Sequence, residues 1–194
     1  KSRDSVDIMS NKKGFEVDAY ARKGIEHLDA AFEANKSVLH KLSSRLVKDV
    51  KYGKKLFIFG SGHSSILAME LYHRAGRAAF VVPIIGDFLL PTAGPPVVRV
   101  LERTQGLVAP LLARAQPQKG EMIWIVSQSG INAASVEMAQ EAAKRGLYVV
   151  GFTSVAHSKS VTSRHPSAKK LFQLCDEVVD LGGVTGDALL ETGN

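Results

Sequence analysis

The sequence predicts an α/β fold built on a parallel sheet, and three observations predict it. Leu56-Phe-Ile-Phe59, Glu121-Met-Ile-Trp-Ile-Val126 and Leu147-Tyr-Val-Val-Gly-Phe152 are short apolar runs without alternation, as expected of strands covered on both faces. Helical patterns separate them, which makes right-handed crossovers between parallel strands the default. Each run also ends abruptly in small hydroxyl or glycine residues: Gly60-Ser-Gly62-His63-Ser64-Ser65, Ser127-Gln128-Ser129-Gly130-Ile131-Asn132, and Thr153-Ser154.

Taken in order, residues 1–14 are polar and aperiodic and are expected to be loosely ordered. A long helix follows and ends near Tyr52-Gly53. Ile25, Leu28, Phe32, Asn35, Leu39, Leu42 and Leu46 alternate in steps of three and four, a heptad seam with one polar member. That seam covers either the chain's own sheet or the equivalent helix of a second copy, with Asn35 then setting the register. After the first loop, Ile66 to Arg74 reads as a helix stopped by Gly76, with Glu70 and Arg74 spaced for an ion pair. Ala79 to Ile85 is the next strand, and Pro83 restricts it to an edge or a strand end. Gly86 to Pro96 is rich in Gly and Pro and reads as irregular. Val97 to Ala115 is helical again, interrupted by Gly106 and Pro110. Ala133 to Arg145 is an alanine-rich helix ended by Gly146. Val155 to His165 reads as a connection. Pro166 suits the first turn of a helix running through Leu174, and Glu177 to Leu181 is a fifth strand. Gly182-Gly183 and a short helical piece with Asp187 and Glu191 complete the chain.

At 194 residues the chain is long enough for one α/β domain with a substantial core. Cys175 is the single cysteine, which excludes an internal disulfide and suits a reducing, cytoplasmic setting. No apolar run reaches membrane-spanning length, and no Cys/His spacing suggests zinc or any other metal. The net charge of +6 can attract an anionic metabolite. Nucleic acid is the weaker expectation, because no basic run is interleaved with aromatics.

In a parallel sheet the carboxyl-terminal turns share one edge, so two serine-rich loops can face one crevice. Gly60 and Gly62 allow a tight turn and close approach of the backbone. Ser61, Ser64 and Ser65 place hydroxyls beside the N–H groups of the following helix. A dianionic phosphate needs several donors, and hydroxyls with backbone N–H groups supply them without a buried cation. The bland alternative for these serines is helix capping.

With those loops in view, the chain from about Ile25 to Leu190 resembles the SIS (sugar isomerase) domain family in its small stand-alone form. Ser127-Gln128-Ser129-Gly130 is similar to the phosphate loop of its isomerases, and Gly60-Ser61-Gly62-His63-Ser64 resembles the first loop of its stand-alone members. The resemblance implies a three-layer αβα sandwich around a five-stranded, doubly wound, flavodoxin-like parallel sheet. It implies a phosphosugar ligand, including an amino-sugar phosphate, no cofactor, and a homodimer or higher homo-oligomer. It assigns Ser127, Gln128, Ser129, Gly130 and Asn132 to the phosphate, with Gly62, Ser64 and Ser65 in the first binding loop and Ser61 and Ser154 at the sugar end. Asn132 departs from the threonine usual there. The implied activity is an aldose–ketose phosphosugar isomerase or a related lyase or etherase; the alternative is a non-catalytic sensor that acts through a protein partner. Proton transfer between adjacent carbons needs a base, and Glu102 is the first candidate, with His63 and His165 as further acid–base groups. For Glu102 the competing expectation is a solvated carboxylate paired with Arg99 or Arg103. Family members usually close with a further helix, which this sequence is expected to lack.

Overall fold

Five parallel strands in one sheet carry the molecule: β1 (Leu56–Gly60), β2 (Val81–Ile84), β3 (Met122–Val126), β4 (Tyr148–Thr153) and β5 (Glu177–Asp180), in the order β2-β1-β3-β4-β5. The computed structural model describes residues 17–186. The expectations for the first fourteen residues, for the piece with Asp187 and Glu191 and for a missing last helix lie outside that range.

Along β1 the side chains alternate between two cores. Leu56 and Ile58 join Met122, Val126, Val150 and Val179 on one face. Phe57 and Phe59 join Ile123, Ile125 and Val149 on the other. Both faces are apolar because both are covered, which is why the strand runs do not alternate in polarity. On the first face lie α1 (Val17–Lys51) and α2 (Ser65–Tyr72), contributing Val38, Leu39, Leu42, Leu46, Ala68 and Leu71. Between β2 and β3 come α3 (Pro95–Leu101) and α4 (Ala109–Ala115), and after β3 comes α5 (Ala133–Lys144). Val108 and Leu112 from the α4 region, with Ala134, Met138, Ala139 and Ala142 from α5, fill the second face. The three-layer αβα sandwich is therefore as expected. Pro83 lies in β2, the edge strand beside β1, where a missing donor is tolerated.

The heptad seam of α1 divides in two. Leu42 is 3% exposed against the sheet, whereas Ile25, Leu28 and Phe32 are 62%, 68% and 51% exposed. Asn35, 6% exposed, turns inward at the junction. Its Nδ2 donates to the carbonyls of Ala31 (2.6 Å) and Asp180 (2.7 Å), and its Oδ1 accepts from Asp180 N–H at 2.8 Å. Asn35 thus closes the open edge of β5 within the same chain.

Two local expectations need correction. Val155–Ser160, read as a connection, is a helix, α6, capped by Ser154. The helix expected from Pro166 through Leu174 is instead an irregular segment, with a turn at 166–167 and a 3-10 turn at Leu171–Gln173. Local side-chain bonds compete with helix there. His165 N–H donates to Ser163 Oγ, Ser167 N–H to His165 Nδ1 and Lys169 N–H to Ser167 Oγ, and Ala168 sits at φ 55°. Among the described residues no helix is long and apolar enough to cross a membrane.

Candidate functional site

Strand order decides where a ligand can enter. Crossovers run from β1 outward to β2 on one side and from β3 outward through β4 to β5 on the other, so the chain reverses direction between β1 and β3. In open α/β sheets the crevice lies beyond the carboxyl ends of the strands at that reversal. The two serine-rich loops begin there, since Gly60 is the register partner of Val126.

The first loop is shaped by its glycines. A Cβ at Gly60 would collide with the Ser64 backbone, and Gly62 has φ 56°, in the left-handed region. This turn leads through a 3-10 turn, Gly62–Ser64, into α2. Ser65, expected to face the ligand, is 2% exposed and its hydroxyl donates to Gly62 O at 2.6 Å; it holds the turn. Ser61, Gly62 and His63 line a cleft of about 220 Å³ together with Pro91, Pro95, Val98, Arg99 and Glu102.

The second loop leaves β3 beneath a lattice of backbone bonds. Ser127 Oγ accepts from Gly130 N–H at 3.2 Å, and Gln128 O accepts from Ser154 N–H at 2.9 Å. Gly130, at φ 62°, packs so closely that a Cβ there would lie 2.7 Å from Thr153 Oγ1 and 3.2 Å from Leu171 Cβ. Below it, the segment that failed to become a helix fastens the loop: Arg164 N–H donates to Ile131 O at 2.9 Å and Leu171 N–H to Gly130 O at 2.8 Å. Its irregular backbone thus has a structural use.

Between the loops stands Glu102, the C-cap of α3. Its backbone carbonyl accepts from Ala134 N–H at 3.0 Å, which ties it to the start of α5, and its Oε2 accepts from the Ser61 hydroxyl at 3.5 Å. Burial pushes its carboxyl above the ordinary value, and this outweighs the opposing pull of Arg103 and Arg164 and of hydrogen bonds from Ser61 and Asn132. It is part-buried and not solvated; of the two arginines expected beside it, Arg103 is a charge partner and Arg99 is not. Asn132, the N-cap residue of α5 and 8% exposed, accepts from Arg164 Nη1 on Oδ1 at 2.8 Å. Ser61, Glu102, Asn132 and Arg164 therefore form one chain of contacts joining the two loops.

The SIS domain model matches residues 19–154. The chain belongs to the SIS-domain family. This SIS-domain chain is 41% identical over 145 residues to a UPF0309 protein of Halalkalibacterium halodurans, covering 75% of this chain and 60% of that one. It is 35% identical over 173 residues to a UPF0309 protein of Shouchella clausii, covering 89% and 70%. A UPF0309 protein of Brucella ovis is 32% identical over 175 residues, covering 90% and 71%. The chain thus spans 60% to 71% of the length of these relatives. The same fold is found in the phosphoheptose isomerase of Neisseria gonorrhoeae, at a TM-score of 0.62 and 16% identity over 85% of this chain and 83% of that one. A phosphoheptose isomerase from Francisella tularensis gives 0.58 and 11% over 89% and 85%.

Three expected site residues sit elsewhere in the chemistry. Ser154 is fully buried; its hydroxyl donates to Gly183 O at 2.6 Å and accepts from His157 N–H, so it caps α6 and does not reach toward a sugar. Ser65 locks the first turn. His165 directs its ring to Ser167 Oγ at 2.7 Å and to Glu137 at 3.8 Å on α5, and its contacts are with neither loop. Conversely, Arg164 carried no functional expectation, and only its folded position beside Asn132 reveals it. Its sequence signal was slight, one cation in a run of serines and histidines.

Proposed function

We propose that this SIS-domain protein binds a phosphosugar at the crevice between β1 and β3 and acts on it as an aldose–ketose isomerase or a related lyase or etherase. The observation that carries the reading is the placement of a part-buried carboxylate, Glu102, between the two serine loops, bonded to Ser61 of one and adjoining Asn132 of the other. The phosphate occupies the Ser127–Asn132 loop, with Gln128 and Ser129 offering donors, Gly130 shaping the turn and the start of α5 behind them. The sugar extends toward Ser61, Gly62, His63 and Ser64. Glu102 removes a proton from the carbon beside the carbonyl and returns it to the former carbonyl carbon. A carboxyl raised by burial suits a base working nearer neutrality than an exposed glutamate does.

A second copy of the chain belongs to the same reading. The exposed half of the α1 seam, Ile25, Leu28 and Phe32, continues in heptad phase the residues that pack on the sheet, and a homodimer covers it. A monomer in sedimentation at micromolar concentration removes that part.

Thermal shift across a panel of sugar phosphates, including hexosamine phosphates, followed by NMR of each hit, tests the reading. Binding with turnover that disappears in Glu102→Gln, while binding persists, is the expected result. Ser129→Asp is expected to abolish binding by charge repulsion, and unchanged binding in that variant removes the phosphate site. Binding without turnover selects the alternative, a phosphosugar sensor with a protein partner. The His165 ring turns to Ser167 and Glu137, which leaves Glu102 and His63 as the acid–base groups at the cleft.

A further inference from the structure

The 220 Å³ cleft beside the first loop is lined by a cation, Arg99, as well as by the Glu102 carboxylate. Arg99 lines it, and among the described residues its guanidinium has neither a hydrogen bond nor an ion pair. The exposed His63 ring also lines the cleft and is likewise without a partner among the described residues. Arg99 lies three residues before Glu102, on the same side of α3, yet Glu102 draws its charge partners from Arg103 and Arg164. One carboxylate thus stands among three arginines, and the one nearest the cleft wall is uncommitted. At 220 Å³ the cleft is smaller than the roughly 300–1,000 Å³ of drug-sized sites, so it suits one end of a small ligand. The second loop, across Glu102, is a separate place for the first phosphate.

We infer that the ligand is a sugar phosphate with a second anionic group, a carboxylate or a second phosphate, at the end opposite its first phosphate, and that Arg99 with His63 recognises it. This rests on the phosphosugar reading above and adds the substrate class. An arginine fork is suited to either anion, because it presents parallel N–H donors to two oxygens at once. Val98, buried at 6% exposure, anchors the helix turn that aims Arg99, so the guanidinium starts from a held backbone.

Calorimetry on the chain with four probes tests this: glucose 6-phosphate, 6-phosphogluconate, fructose 6-phosphate and fructose 1,6-bisphosphate. The inference expects 6-phosphogluconate, the bisphosphate, or both to bind about tenfold or more tighter than the singly phosphorylated partner sugar, the scale of one charge-assisted hydrogen bond. Which pair separates distinguishes carboxylate from phosphate. Arg99→Ala should erase the difference while leaving glucose 6-phosphate binding within about twofold, and Arg99→Lys should restore part of it. Equal affinities within both pairs, or a preference that survives Arg99→Ala, overturn the inference while leaving the phosphosugar reading intact. Failure of all four probes and of the wider sugar-phosphate panel to bind removes both.

Discussion

Replacing Asn35 by alanine distinguishes two uses of the same helix. If Asn35 were the polar member of an intermolecular seam, removing it would strengthen association and raise stability, because a buried polar group in a coiled coil sets register at a cost. The fold assigns it otherwise. Its amide supplies both partners of Asp180, the N–H at 2.8 Å and the carbonyl at 2.7 Å, on the side of β5 that has no neighbouring strand. Asn35→Ala leaves that backbone donor and acceptor unmatched beneath α1, at 6% side exposure in the parent. Two such bonds together amount to about 2–3 kcal/mol. For a chain of this size, that corresponds to a fall in melting temperature of about 4–12 °C. Urea unfolding followed by circular dichroism, run beside sedimentation at equal concentration, reads both quantities. A variant that unfolds at the parent's midpoint, or later, would refute the intramolecular account.

Other expectations follow from single contacts. Gly130→Ala meets a left-handed φ of 62° and a 2.7 Å approach to Thr153 Oγ1. Together these cost about 2–5 kcal/mol, and sugar-phosphate binding, measured by calorimetry, should fall with the melting point. Burial raises the Glu102 carboxyl above its ordinary 4.5, so a base at that position is protonated and idle at acid pH. The acid limb of kcat/KM in the parent should therefore lie above pH 4.5, and an acid limb at or below that value would refute Glu102 as the base. The same shift has a sign for stability: the protonated form is favoured in the fold, so this contribution is lost as pH rises through the raised value. Glu102→Gln should accordingly unfold no earlier than the parent at pH 7. The Cys175 thiol is pushed up to about 12, chiefly by burial, and its Sγ contacts Leu171 O at 3.1 Å. A thiol reagent at pH 8 should leave it unmodified in the native protein and label it in urea.

How much of this was legible in the residue order varies with the range of the forces involved. Strands announced themselves because a run such as Phe57-Ile58-Phe59 has no polar face to present, and the edge position of β2 followed from Pro83. The two loops were legible for a similar reason: glycine at 60, 62 and 130 next to serines has few uses other than a tight, donor-rich turn. Side chains at those turns were harder to assign. Ser61 and Ser65 look alike in sequence, but one faces Glu102 and the other bonds back to Gly62. The stretch from Ser163 to Leu171 misled because its helix signals are local, whereas its bonds to Gly130 and Ile131 are not.

By itself, then, the sequence determined a parallel α/β sheet, the two anion-suited turns and an amphipathic first helix, since burial periodicity and glycine geometry act over a few residues. Tertiary structure alone decided that Asn35 closes β5, that Arg164 reaches Asn132, and that Arg99 is left uncommitted in the cleft. Those contacts join elements far apart in the chain, and their partners are chosen only when the sheet order brings the strand ends together.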